Sequence, residues 1–200
     1  MTGATATDTR LVILDAALRC FRSQGVRKTT IVDVGRAAGV SRSTVYEYFP
    51  DKRAVVDAAS EHALQLFYRA MARAMDHGAS LEDKLGRAAV AVTRARRFVG
   101  AEALSDPAEV TMLLNRNAAA LLQECGEFLT PYLLAAKLTG EVRKNLDVDA
   151  AAEWFARMLF SLFMTPSKRL DLTDSDAVST FVREHVVRGF VDAGPGRRVR

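Results

Sequence analysis

One stretch of twenty residues, Thr30 to Phe49 (TIVDVGRAAGVSRSTVYEYF), limits what this chain can fold into more than any other. Thr30 is a good helix N-cap, and Asp33 stands at the third helical position behind it, a capping-box-like spacing. Gly39 supplies the positive φ of a tight turn after this first short helix, and Ser41 is placed to cap a second. Val34 and Ala38 face inward, and Val40 and Val45 pack the second helix back onto the first. Gly35 falls where the two helices cross most closely. Glycine inside a helix costs roughly 1 kcal/mol relative to alanine, so either the approach is very tight or the motif is somewhat loose. Two short helices joined this way form a helix-turn-helix, a unit that lays its second helix into the major groove of DNA.

The rest of the composition agrees with a folded, soluble chain. Two hundred residues allow one large or two small domains with a sizeable core. The 49% hydrophobic and 26% charged residues exclude a disordered chain. The first ten residues lack the apolar core of a signal peptide. The most membrane-like interval, Met158 to Ser167, has about half the length of a spanning helix. Cys20 and Cys125 lie far apart on helical patterns and read as two buried thiols, which suits a reducing cytoplasm. The net charge of +4 is concentrated: residues 1–53 carry nine Lys and Arg against five acids, and the remainder balances at 19 against 19. The excess positive charge therefore coincides with the segment suspected of touching DNA phosphates.

Helical spacing runs through almost the whole sequence and no strand-like alternation interrupts it, so the expected class is all-α with about nine helices. Leu11, Leu14, Leu18 and Phe21 mark the stripe of a first helix that Gly25 stops. Asp51 is placed to cap a long helix reaching about Asp76, with Ala54, Val55, Ala58, Ala59, Ala63, Leu66, Phe67, Ala70 and Met71 on its apolar side. The pattern restarts near Ser80 and runs to Leu104. A long apolar stretch from Glu109 to Leu138 should be kinked or divided by Pro131. Asp149 is expected to cap the next apolar helix, which Pro166 stops, and a last helix is expected from about Asp174 to Val191.

Residues 11–67 resemble the tetracycline-repressor (TetR-like) family of bacterial transcriptional regulators. The resemblance rests on TTIVDVGRAAGVSRSTVYEYFPDKRAVV, with its Thr, its Ala-Gly-Val turn, its Tyr-x-Tyr-Phe and the following Lys. It implies a three-helix DNA-binding head followed by a helical regulatory domain whose last two helices pair across a dimer axis. The implied organisation is a DNA-binding domain at 1–52 (helix-turn-helix 30–49) and a ligand-sensing and dimerisation domain at 53–200. Gly35 occupies a position more often alanine in that family. Beyond the head the likeness is one of layout.

Candidate roles follow. On the second helix of the motif, Arg42, Ser43, Thr44, Tyr46 and Glu47 point away from the core side set by Val45 and Tyr48-Phe49. An arginine there can offer a bidentate fork to guanine, and Ser43 or Thr44 can reach base edges or phosphate. Lys52 and Thr30, at helix starts, are placed to clamp flanking phosphates. Tyr46 and Tyr48 match positions where the resemblance implies phosphate or base contacts. The expected DNA-binding set is Thr30, Ser41, Arg42, Ser43, Thr44, Tyr46, Tyr48 and Lys52. One head buries too little surface to be selective, so a homodimer on a palindromic operator in double-stranded DNA is expected. Its interface is assigned to Ala152, Phe155, Leu159, Leu162, Phe163, Val178, Phe181, Val182 and Val186, as a four-helix bundle across subunits. A pocket for a small apolar or amphipathic effector is assigned to Phe98, Met112, Arg116, Asn117, Phe128, Trp154 and Met158. Three scattered histidines, no metal-ligand spacing and no nucleophile or phosphate-loop motif argue against an enzyme, a metal or a cofactor. The expected protein is a cytoplasmic repressor released from DNA by its effector; the alternative is a ligand-independent DNA-binding regulator or an activator. No membrane partner is expected.

Overall fold

A computed structural model of the chain describes residues 6–101 and 118–190. All regular structure among them is helical, as the sequence pattern demands: α1 (Ala6–Gln24), α2 (Ile31–Ala38), α3 (Arg42–Tyr48), α4 (Lys52–Asp76), α5 (Leu81–Ala101), α6 (Ala118–Thr139), α7 (Val148–Met164) and α8 (Ser175–Phe181). A π-helical turn (Val182–Val186) and a 3₁₀ turn (Val187–Gly189) follow α8. The eight α-helices among the described residues stand close to the nine expected. The chain divides into two compact units with cuts at Tyr68/Arg69 and Arg96/Arg97, so α4 belongs to the first unit as far as Tyr68 and to the second from Arg69.

In the first unit the helices α2 and α3 are eight and seven residues long, too short to persist alone in water. They exist because they share one apolar core. Ile13, Leu14, Ala17 and Phe21 of α1 meet Ile31 and Val34 of α2, Val45 and Phe49 around α3, and Val55 and Ala59 of α4. The buried side of α1 is thus rotated from the expected stripe: Leu11 is exposed and Leu18 only half-buried, while Ile13 and Ala16 take the inner positions. Likewise Leu66 and Ala70 of α4 are exposed, and His62 is buried instead. The His62 ring nitrogen Nε2 lies 2.9 Å from Asp15 Oδ1, which ties α4 to α1 by a hydrogen bond at the edge of the core.

The ends of these helices are set by local chemistry. Gly25 stops α1 with φ 81°. Thr30 and Asp33 form a complete capping box. Gly39, at φ 70°, ends α2, and Val40 N–H then donates to the Gly35 carbonyl at 2.9 Å, the reversal that satisfies a helix's last carbonyls. Ser41 caps α3 by accepting from Thr44 N–H at 3.0 Å, and Asp51 caps α4 by accepting from Ala54 N–H at 2.8 Å.

In the second unit a long-range contact adds to the local caps, which include Ser80 Oγ accepting from Asp83 N–H at 3.2 Å. The Glu141 carboxylate accepts from Leu81 N–H at 2.7 Å and so caps α5 from 60 residues away. Gly86 of α5 faces Ser179 of α8 so closely that an added Cβ would stand 2.5 Å from the serine hydroxyl. Asp147, and not Asp149, is the N-cap of α7: its carboxylate accepts from Ala150 N–H at 3.1 Å, while Asp149 lies in the first turn. Pro131 does not divide α6. It lies on the exposed side, where water can satisfy the carbonyl that loses its partner. The last expected helix is shorter than the pattern suggested, since α8 gives way at Val182 to the π turn. Phe190 nevertheless packs back: its carbonyl accepts from Arg143 N–H at 3.0 Å, and its ring meets Trp154 edge-on at 5.6 Å. Burial pushes the Cys125 thiol up to about 12, and both cysteines are free.

Gly35 tests the packing of the first unit. A Cβ there would lie 3.1 Å from the Val40 carbonyl oxygen and 3.6 Å from a Val45 methyl. Gly35→Ala should be near neutral, the ~1 kcal/mol gained in helix propensity offsetting the tight contact. Gly35→Val should lose about 1–3 kcal/mol by overpacking. Urea unfolding of the two variants checks this; equal midpoints would show that α2 and α3 do not close on this position.

Candidate nucleic-acid interface

α3 has two sides of opposite character because its sequence alternates what it offers. Val45 is fully buried and Phe49, just past the helix, nearly so. Those two anchors leave Arg42, Ser43, Tyr46 and Glu47 exposed on the other side, with Thr44 half-buried between. Tyr48 packs half-buried against the core and is only partly available to a partner. The Arg10 guanidinium lies over the Phe49 ring, 5.4 Å from its centroid, and brings a cation from α1 to the end of α3.

The hydroxyls near the start of α3 are turned toward one another. Ser41 Oγ lies 2.7 Å from Ser43 Oγ and 2.9 Å from Thr44 Oγ1 in addition to accepting from Thr44 N–H. Arg42 instead reaches along the helix: its Nη2 donates to the Tyr46 hydroxyl at 3.4 Å, and its guanidinium carbon lies 5.3 Å from the Tyr46 ring centroid.

The flanking positions are occupied in ways the local sequence did not show. Lys52 Nζ donates to the Arg27 carbonyl at 3.0 Å. This closes the loop between α1 and α2 onto the start of α4 and leaves the ammonium two further protons. Thr30 gives its hydroxyl proton to Asp33 Oδ2 at 2.6 Å, and its own backbone N–H donates to the same oxygen at 3.0 Å. These two bonds, the hydroxyl's first, hold the Asp33 carboxyl below the usual carboxylate range. Arg19 Nη2 donates to the Ala37 carbonyl at 3.0 Å and steadies the end of α2. Arg27, Lys28, Arg36 and Arg53 are exposed around this set. The clasps Lys52–Arg27, Arg10–Phe49 and His62–Asp15 link residues 25 to 47 positions apart, so no local spacing in the sequence could have announced them.

Residues 13–59 match the family model of bacterial regulatory proteins, tetR family. The probable HTH-type transcriptional regulator ArpR of Pseudomonas putida is 32% identical over 162 residues, 74% of each chain. The chain belongs to the TetR family. That family is one of bacterial regulatory proteins, and the part of the chain its model matches is the helix-turn-helix unit with the helices that brace it. Other curated relatives match over 47 to 68 residues, so the chain spans only 22% to 51% of their length. Among solved structures, a cysteine mutant of the TetR family regulator CifR, complexed with a 26-base-pair double-strand operator DNA, superposes with a TM-score of 0.60 at 17% identity, over 92% of this chain and all of that one. FadR from Bacillus subtilis in complex with stearoyl-CoA gives 0.53 at 18%, over 87% and 97%. At these identities the likeness is one of fold.

The remaining expected sites fall out less evenly in this TetR-family chain. Ala152, Phe155, Leu159, Leu162, Val178 and Val182, expected at a dimer face, are buried within the single chain. Only Phe163 and Phe181 of that set are half-buried, and the side chain of Val186 lies outside the described residues, as does that of Phe98. Met112, Arg116 and Asn117 are also outside them. Phe128 and Met158 are half-buried, whereas Trp154 is 42% exposed against Phe190. Among the described residues no three His, Cys, Asp or Glu side chains are grouped to hold a metal, and no helix is long and apolar enough to cross a membrane.

The Asp33 carboxylate makes a pH prediction for this interface. Its value in the folded chain is depressed, so its contribution to stability is full above the unfolded value, ~3.9, and is lost as pH falls through the folded one. Thermal melts should show Asp33→Asn less stable than the native chain at pH 7, with the gap narrowing below about pH 4. A gap that stayed constant down to pH 2 would mean that the carboxylate charge plays no part in the capping box.

Proposed function

We propose that this TetR-family chain is a homodimeric repressor that holds a palindromic operator and is released by a small apolar or amphipathic effector. The observation that carries the reading is the division of α3: one side locked into the core by Val45 and Phe49, the other polar and exposed between Thr30 and Lys52. Such a helix can enter a major groove without giving up any apolar contact. Arg42 would read a base edge, while Lys52, Thr30 and the N–H groups at the start of α2 hold phosphates on either side. The CifR complex with operator DNA supports the partner, and the FadR complex with stearoyl-CoA supports an effector with an apolar chain.

Dimerisation would use the sides of α7 and α8 that the chain's own core leaves uncovered, where Phe163 and Phe181 are half-buried. Two heads on one axis would double the contacted length and require half-sites about one duplex turn apart. Effector binding in residues 53–200 would act by population shift, favouring a state of the dimer in which the heads no longer match that spacing. Phe128 and Met158, half-buried on α6 and α7, are candidates for the apolar lining. A reducing cytoplasm is the compartment this reading requires.

Binding to duplex DNA measured against salt tests the assignment. Lys52→Ala should lower the slope of log affinity against log salt by ~0.9, the loss of one phosphate contact. Arg42→Ala should cost about 1–3 kcal/mol on preferred sequences and much less on random ones. An unchanged slope for Lys52→Ala would confine that ammonium to its internal bond with Arg27. Calorimetric titration with long-chain acyl compounds, read together with DNA release, separates the ligand-responsive repressor from a ligand-independent binder.

A further inference from the structure

We propose that Tyr46 is a positioning residue for Arg42, and that base discrimination by each head rests on this one prearranged pair and not on the neighbouring hydroxyls. The inference depends on the reading of α3 as the helix that meets DNA. Ser41 Oγ has two lone pairs and one proton. One lone pair accepts the Thr44 N–H. Of its contacts to Ser43 Oγ and Thr44 Oγ1, one then uses its second lone pair and the other its proton. Ser43 and Thr44 are thereby drawn back to the start of the helix, each with one hydrogen-bonding valence spent on the cap. Turning either hydroxyl away toward a base edge would give up its contact with the capping Ser41.

Arg42 is in the opposite situation. No carboxylate pairs with it among the described residues; its partner is the Tyr46 side chain, one turn along the same helix face. The guanidinium lies over the ring, and one N–H donates to the hydroxyl. A ring on one side restricts a long, flexible side chain to a plane while leaving most of its five donors unspent. A fork fixed in plane is what bidentate recognition of guanine O6 and N7 requires. Tyr46 takes part as the acceptor of this bond, and its ring supplies the surface on which the guanidinium lies. Glu47, exposed on the same outer side, does not compete for the guanidinium.

A single round of selection on a random-sequence duplex library, sequenced before and after binding, tests this with the full-length protein. The wild type should enrich a guanine at one position of each half-site, and Arg42→Ala should abolish that preference. Tyr46→Ala should reduce it about tenfold while changing affinity for unselected duplex less than threefold. Tyr46→Phe, which keeps the ring, should retain most of it, and Ser43→Ala should leave it intact. Three results overturn the proposal: a guanine preference unaffected by Tyr46→Ala, a uniform loss on all sequences with a lower salt slope (the mark of a plain phosphate contact), or a preference lost on Ser43→Ala. A folded wild type that enriches nothing overturns instead the reading of α3 as the DNA-facing helix. All three substituted side chains are exposed, and circular dichroism melts establish that each of the four variants is folded.

Discussion

The reversal of the backbone between α2 and α3 is the constraint on which the rest of the head depends. Val40 N–H returns to the Gly35 carbonyl at 2.9 Å, Gly39 takes the left-handed conformation, and the Val40 carbonyl oxygen comes to where an added Cβ on Gly35 would stand 3.1 Å away. This one closure sets where α3 leaves α2, and therefore which of its residues turn inward. Val45 and Phe49 are buried as a consequence, and Arg42 and Tyr46 are exposed as a consequence. Neither short helix would hold without the other, and neither would hold without α1 and α4 supplying the remaining walls of the core. The outward side of α3 is in this sense a by-product of a packing problem solved at one turn.

Electrostatics then refines what packing has placed. Asp33 spends its charge on Thr30, Arg19 on the end of α2, and Lys52 in part on the Arg27 carbonyl. These contacts stiffen the frame and withdraw charge from the surface. What remains outward is a small set of cations around α3 and the Arg42–Tyr46 pair on it. Such a division between groups that hold the frame and groups left for a partner is what separates positioning from readout at a protein–DNA interface.

Most of the head was legible in the sequence because its signals are local. The capping box at Thr30 and Asp33, the turn at Gly39 and the cap at Ser41 each depend on residues within four positions of one another, and all stand where the spacing placed them. The inner side of α1 was read less well. Leu11 and Ile13 are equally apolar, and only the direction from which α2 and α4 approach decides between them. The cap of α7 was misplaced by two residues because Asp147 and Asp149 are chemically alike. The C-terminal helices show the deeper limit. Their strong apolar pattern was read as an interface between copies, yet Phe155, Leu159 and Val178 are consumed by the chain's own core. Hydrophobicity states that a face must be covered; it does not state by what. Contacts such as Glu141 capping α5 and Phe190 returning to Trp154 join segments with no shared pattern at all.

Duplex DNA is expected to lie along the outer side of α3, framed by Thr30 and Lys52. Chemical-shift mapping of the isotope-labelled protein, titrated with a duplex obtained by selection, addresses that placement most directly. The largest amide and side-chain perturbations should cluster at Thr30 to Val32, Ser41 to Glu47 and Lys52, with the Arg42 guanidinium and the Tyr46 ring moving together. Perturbations confined to residues beyond Tyr68, with α3 silent, would contradict it.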